Sequence, residues 1–141
     1  MNYPTNIIDQ YTREDAINDG VLIDVSETAR EAGFKLPVAM TVAAHGKYVT
    51  CDEIEREQLH QDPEGRLWDI LKMLAYAAKR SQGNRIIFRV IIAKPDRGDW
   101  EPRFEKIVQG DRTMRLVTLA ANCHGGDNGE PVITILKPNE D

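Results

Sequence analysis

The period of the apolar positions changes along the chain, and the changes mark its elements. Leu67, Ile70, Leu71, Leu74, Ala77 and Ala78 recur at helical spacing on one face. Asp62 followed by Pro63 is a cap with proline in the first turn, so a long helix opens there and runs to about residue 80, with Gly83 as its stop. Beyond it the pattern turns to β. Residues 85–94 are dense in β-branched side chains on both faces, which predicts a central strand. Residues 95–102 read as a polar loop and 104–109 as a short strand. Residues 113–123 and 132–137 are strands joined by the glycine-rich stretch 125–131, in which Asp127-Asn128-Gly129 supplies the positive φ angles of a tight turn.

The first third is punctuated by glycine. Thr12, with Asp15 at the third position, caps a helix over 13–18 that Gly20 ends. Residues 21–25 are a short strand. Ser26 caps a second helix over 27–32, and Gly33 suits its left-handed end. In 37–44 Val38, Met40 and Val42 alternate like a strand, but Pro37 and the alanines favour helix, and helix is expected. Thr50 with Glu53 forms a capping box that predicts a helix from 51 to about 60. The expected fold is α+β. A small antiparallel sheet of about four to five strands is packed by one long helix, with a helical N-terminal third, all in a single domain over 1–141.

Length and composition agree with that picture. A chain of 141 residues with 41% hydrophobic and 29% charged residues is an ordinary globular domain. No apolar run approaches the roughly 20 residues of a membrane span, and the polar start is unlike a signal peptide, so a soluble cytoplasmic protein is expected. The net charge of −5 is unevenly spread. Residues 50–64 hold six acids and one base, whereas 79–115 hold ten bases and five acids. The sequence pI of about 5.2 argues against a nucleic-acid binder.

Motifs that carry chemistry are sparse. Cys51 and Cys123 are too few for a disulfide scaffold. His45, Cys51, His60, Cys123 and His124 lack the close spacing that places two ligands on one metal, so no metal or other cofactor is expected. Cys123 and His124 are adjacent in a strand and point to opposite faces, which prevents a thiolate–imidazole pair between them. The glycine turn after them could cradle a phosphate, but it has no Walker lysine and leads into a strand. Asp24, an acid in an apolar strand, calls for a counter-charge from Arg13 or Arg30. Arg66 is placed to pair with Asp69 at i, i+3, beside Trp68, a residue type common at binding hot spots.

Several blocks resemble one known family. They are Tyr11-Thr12-Arg13, Asp15-Ala16-Ile17, Asp19-Gly20, Asp24-Val25-Ser26, Thr28 through Phe34, Pro37-Val38, Gly65 through Asp69, Gly126-Asp127, Gly129 through Ile135 and Glu140-Asp141. Together they span nearly the whole chain. The family they resemble is an uncharacterised one of small bacterial proteins, a domain of unknown function carried largely on plasmids and other mobile elements. The chain departs from it at His45, where a tryptophan is expected, and at Cys123-His124-Gly125, which replaces a glycine-proline turn. The resemblance implies an accessory role on mobile DNA and brings no activity with it.

Three function classes follow. The first is a non-enzymatic protein-interaction module, a mobile-element accessory factor that binds a host or plasmid protein in counter-defence or plasmid maintenance. Its expected partner surface uses Arg13, Asp24, Arg30, Arg66, Trp68 and Asp69. The second is a small enzyme acting on a nucleotide or protein substrate, with Arg13, Asp24, Arg30 and Glu130 converging in one cleft. The third is a nucleic-acid binder using Arg85, Arg89, Arg97, Arg103, Arg112 and Arg115, which requires most of them on one face. The first is the leading expectation.

Overall fold

The computed structural model describes residues 11–94, 105–109 and 112–140. Helix α1 (Arg13–Asn18) forms where its cap predicts. Thr12 Oγ1 accepts the Asp15 N–H at 2.9 Å, and the Asp15 carboxylate accepts the Thr12 N–H at 3.2 Å. Asp127, 114 residues from Arg13, adds a cap that local sequence could not show. Its carboxylate accepts the N–H groups of Arg13 (2.7 Å) and Glu14 (3.0 Å), two further donors that the first turn leaves open.

After β1 (Leu22–Asp24), α2 (Ser26–Glu31) begins one residue earlier than expected, and Ser26 is not its cap. The Asp24 carboxylate accepts the Ser26 N–H at 3.0 Å. The Ser26 hydroxyl instead accepts the Val38 N–H (3.0 Å) and donates to the Val38 carbonyl (3.2 Å), tying α2 to the next strand.

The helix expected over 37–44 is a strand followed by a helix: β2 (Val38–Thr41) and α3 (Val42–Tyr48). Val38, Ala39 and Met40 are all fully buried. Val38 and Met40 keep the strand spacing noted in the sequence, but Ala39 between them is buried too, and an apolar run covered on both faces reads as easily as helix. Thr41 ends the strand and caps α3 through the Ala44 N–H at 3.2 Å. Among the described residues the N-terminal third is three short helices interleaved with two strands, so it is helical only in part.

Helix α4 (Glu53–Glu57) is shorter than expected. Its cap is Asp52, which accepts the Glu55 N–H at 2.8 Å, while the Thr50 hydroxyl bonds back to the Gly46 carbonyl. Helix α5 (Pro63–Ala78) opens as predicted, with Asp62 accepting the Gly65 N–H at 2.7 Å. Its buried face is Arg66, Leu67, Ile70, Leu71 and Leu74.

Six strands form one sheet. After β3 (Arg85–Ile92) come β4 (Lys106–Gln109), the long β5 (Arg112–Gly125) and β6 (Pro131–Leu136). The order is β1-β2-β6-β5-β3, with β4 also paired to β5. The sheet is mixed rather than antiparallel. β2 runs parallel to β6, with Val38 opposite Ile133 and Met40 opposite Ile135, and the other pairings are antiparallel. Strands so far apart in the chain have no hairpin to impose an antiparallel partner. β3, expected at the centre, lies at the end of this order. Phe88 and Val90 are buried, whereas Ile87 is 53% and Ile91 43% exposed, so one of its faces is open to solvent. The core forms between the other face and the helices. Leu67, Ile70, Leu71 and Leu74 of α5 share it with Phe88, Val117, Leu119, Ile135, Ala29 and Tyr48.

Candidate functional site

The six residues expected to form one surface fall in three places. Arg66 is in the interior, 1% exposed. It lies in the same i, i+4 row as Ile70 and Leu74, on the buried face of α5. Its guanidinium donates to the carbonyls of Thr50 (2.9 Å) and Ala93 (2.6 Å) and forms an ion pair with Glu55, itself 3% exposed. The local pair with Asp69 does not form. Arg66 clamps the loop before α4, α4 itself and the end of β3 to α5.

Arg13 and Asp24 belong to the N-terminal elements beside the β5–β6 hairpin. Arg13 donates to the Thr134 hydroxyl (2.7 Å) and the Ile133 carbonyl (2.8 Å), and His124 Nε2 lies 2.8 Å from the same hydroxyl. Partial burial lowers the Arg13 pKa, against the opposing pull of Asp24, Asp127 and Glu130. Asp24 is exposed and bonded to the Ser26 amide, with the Arg13 charge near enough to interact with it, so the expected Asp24–arginine pairing lies at the surface and not in the interior. The hairpin turn closes with Gly129 at φ 83° and its N–H on the Gly126 carbonyl at 3.0 Å. That is the three-residue loop with a left-handed glycine. A Cβ on Gly126 would lie 2.1 Å from Glu130 Oε1, so the exposed Glu130 side chain would have to move to admit one. The polar groups of this cluster bond one another and fasten α1 to the hairpin.

Trp68, Asp69 and Arg30 lie on the helical layer. Trp68 is 38% exposed, and the Lys72 ammonium sits 5.3 Å from its ring centroid. It forms one wall of a cavity of about 510 Å³ between α2 and α5, rimmed by Glu27, Glu31, Asp62 and Glu64. Glu27, Glu31 and Glu64 make no side-chain hydrogen bond or ion pair among the described residues. Asp69 follows Trp68, and its pKa is raised because partial burial disfavours the carboxylate. Arg30 is exposed on the last turn of α2 and pairs with nothing among the described residues. Sequence reasoning missed the acidic rim. Glu27 and Glu31 at i, i+4 were its signal, but such a pair is commonly a solvated face.

The remaining candidates are scattered. Cys51 is buried and its thiol pKa is pushed up by desolvation. Burial lowers the pKa of His45. Among the described residues no three His, Cys, Asp or Glu side chains come together as a metal site, and no helix is long and apolar enough to cross a membrane. Of the basic residues, Arg115 is buried against Glu105 at 3.4 Å. Arg85 is bonded to Asn122 Oδ1 and the Pro138 carbonyl, both at 3.0 Å. Arg97, Arg103, the Arg112 side chain and the loop expected at 95–102 lie outside the described residues.

The family model for DUF6573, described as a family of unknown function, matches residues 1–141. The chain belongs to that family. No curated protein and no solved structure matches it. Membership extends over the hairpin, the N-terminal elements and α5 alike, and it assigns no residue a role.

Proposed function

We propose that this DUF6573 member is a non-enzymatic protein-interaction module that receives a basic segment of a partner between α2 and α5. The observation that supports the reading is Trp68, partly exposed in the wall of a cavity rimmed by four carboxylates. Tryptophan combines large apolar area with few rotamers to lose, which makes it an effective anchor. The unpaired carboxylates attract lysine or arginine and speed encounter. Arg66 supports α5 from the interior, Asp69 and Arg30 are outside the lining of this cavity, and Arg13 and Asp24 lie elsewhere. The mobile-element setting implied by the sequence resemblance makes a host or plasmid protein the proposed partner, in counter-defence or maintenance.

The enzyme alternative is weaker because Arg30 is not in the cluster around Arg13, and the groups of that cluster are committed to one another. The nucleic-acid alternative loses one of its six arginines to the interior, since Arg115 is buried, while Arg85 and Arg89 stay exposed. The test is affinity capture from the source cell with the parent protein, Trp68→Ala and the pair Glu27→Lys, Glu31→Lys. A stoichiometric partner retained by the parent, lost by both variants and released by salt is expected, with all three melting alike. Capture that neither variant weakens refutes this surface.

A further inference from the structure

β5 is 14 residues long, but its neighbours along one edge do not meet. β4 pairs with it over 112–115 and β6 over 120–125. Backbone direction alternates along a strand. The Cys123 N–H bonds to Asn84 on the β3 side, and the Leu116 N–H bonds to the Glu105 carbonyl on the other side. Thr118, an even number of residues from Leu116, therefore turns its N–H and C=O into the gap between β4 and β6. Extending the β5–β6 register by two residues places Pro138 opposite Thr118, and proline has no N–H to give. The chain turns away at this point. Glu140 holds the turn, its carboxylate accepting the Lys137 N–H and the Thr41 hydroxyl, both at 2.8 Å.

The gap is a cavity of about 460 Å³, within the range of small-molecule sites. Lys47, Arg89 and Lys137 line it, with Tyr48, Leu116 and Pro138 supplying apolar surface. Glu105, the carboxylate in the lining, is already paired with Arg115. Among the described residues the charged ends of Arg89 and Lys137 make no hydrogen bond or ion pair. That of Lys47 lies only over the Tyr48 ring, 5.3 Å from its centroid. Among the described residues no hydrogen bond takes up the Thr118 N–H, and three cations around this N–H and one concave site repel one another when it is empty and are matched by a multiply charged anion.

We propose that this gap binds a small ligand through a phosphate group, held by the Thr118 N–H and the Arg89 guanidinium with Lys47 and Lys137 beside it. An arginine fork matches phosphate oxygens in pairs, and a dianion answers several cations better than one carboxylate does. The volume leaves room for an organic moiety against Leu116 and Pro138. The site is separate from the Trp68 surface and does not depend on that reading.

The test uses the full chain, labelled for amide NMR, titrated with inorganic pyrophosphate, AMP and adenosine. Pyrophosphate and AMP are expected to shift the Thr118 amide saturably, and adenosine is expected to leave it unmoved. Tighter binding of AMP identifies an organic phosphate as the ligand type, and equal binding identifies the phosphate group alone; either result supports the site. Arg89 is exposed, so Arg89→Ala should fold normally and weaken both anions at least about tenfold, the loss expected for one charge-assisted contact. Trp68→Ala should bind them as the parent does. The proposal is overturned if neither anion moves Thr118, if adenosine binds as tightly as AMP, or if Arg89→Ala binds like the parent.

Discussion

Replacing Arg66 with methionine tests the interior clamp most directly. The side chain is 1% exposed, and its guanidinium serves three partners: the Thr50 carbonyl, the Ala93 carbonyl and the Glu55 carboxylate. Methionine fills much of the space but donates nothing. Glu55, 3% exposed, then keeps its charge in the interior without this counter-ion, and two carbonyls lose a charged donor. Breaking a buried pair from one side costs about 3–5 kcal/mol, and the two lost carbonyl bonds place Arg66→Met at the upper end of that range. Glu55→Gln is milder, near about 3 kcal/mol, because Arg66 retains both carbonyls. The double variant Arg66→Met, Glu55→Gln should cost less than the sum of the two, since the pair is removed from both sides. Urea unfolding followed by circular dichroism measures all three. For a chain of this size, a loss of about 5 kcal/mol lowers Tm by roughly 15–25 °C. A loss below about 1 kcal/mol in Arg66→Met, or strict additivity in the double variant, would refute the reasoning.

Leu71 is fully buried, and Leu71→Ala should cost about 2–5 kcal/mol by the same measurement; a parent-like midpoint would show that α5 docks otherwise. Asp69 has its pKa raised by burial, so ionisation opposes folding. Its contribution to stability is greatest at low pH and falls as pH rises through the raised folded value. Asp69→Asn should therefore raise the melting midpoint at neutral pH and leave it unchanged near pH 3, below the ordinary aspartate range; equal midpoints at both would contradict this. Cys51, buried with its thiol pKa pushed up, should react with a thiol reagent in the native chain far more slowly than after unfolding. Equal rates in the two states would place it at the surface.

Local signals sufficed wherever one element carries its own instructions. Asp62-Pro63 and the apolar row of α5 specify a start, a direction and a buried face within one helix. Thr12 and Asp15 do the same for α1, and the stretch Asp127-Asn128-Gly129 marks the hairpin turn, although only Gly129 of the three takes a positive φ. The failures share a cause, which is that the deciding partner is distant in sequence. Val38–Thr41 is a strand because β1 and β6 flank it, and nothing within the segment reports that burial on both faces. β3 has the composition of a central strand yet ends the strand order, because β5 is its one partner among the described strands.

The candidate sites divide in the same way. Trp68 stood out in the sequence, but the carboxylates around it come from two helices whose packing brings them together. Arg66 could have been recognised as interior from its row with Ile70 and Leu74; its partner Glu55 could not, since the neighbouring Ile54 is the exposed one. The gap beside Thr118 depends on where β4 and β6 stop along β5. Pro138 hints at one boundary, but the meeting of Lys47, Arg89 and Lys137 is a tertiary event. Periodicity and caps act over a few residues and are read directly from sequence. Register, strand order and the convergence of charges are set by the lowest free energy of the whole chain, which no single segment contains.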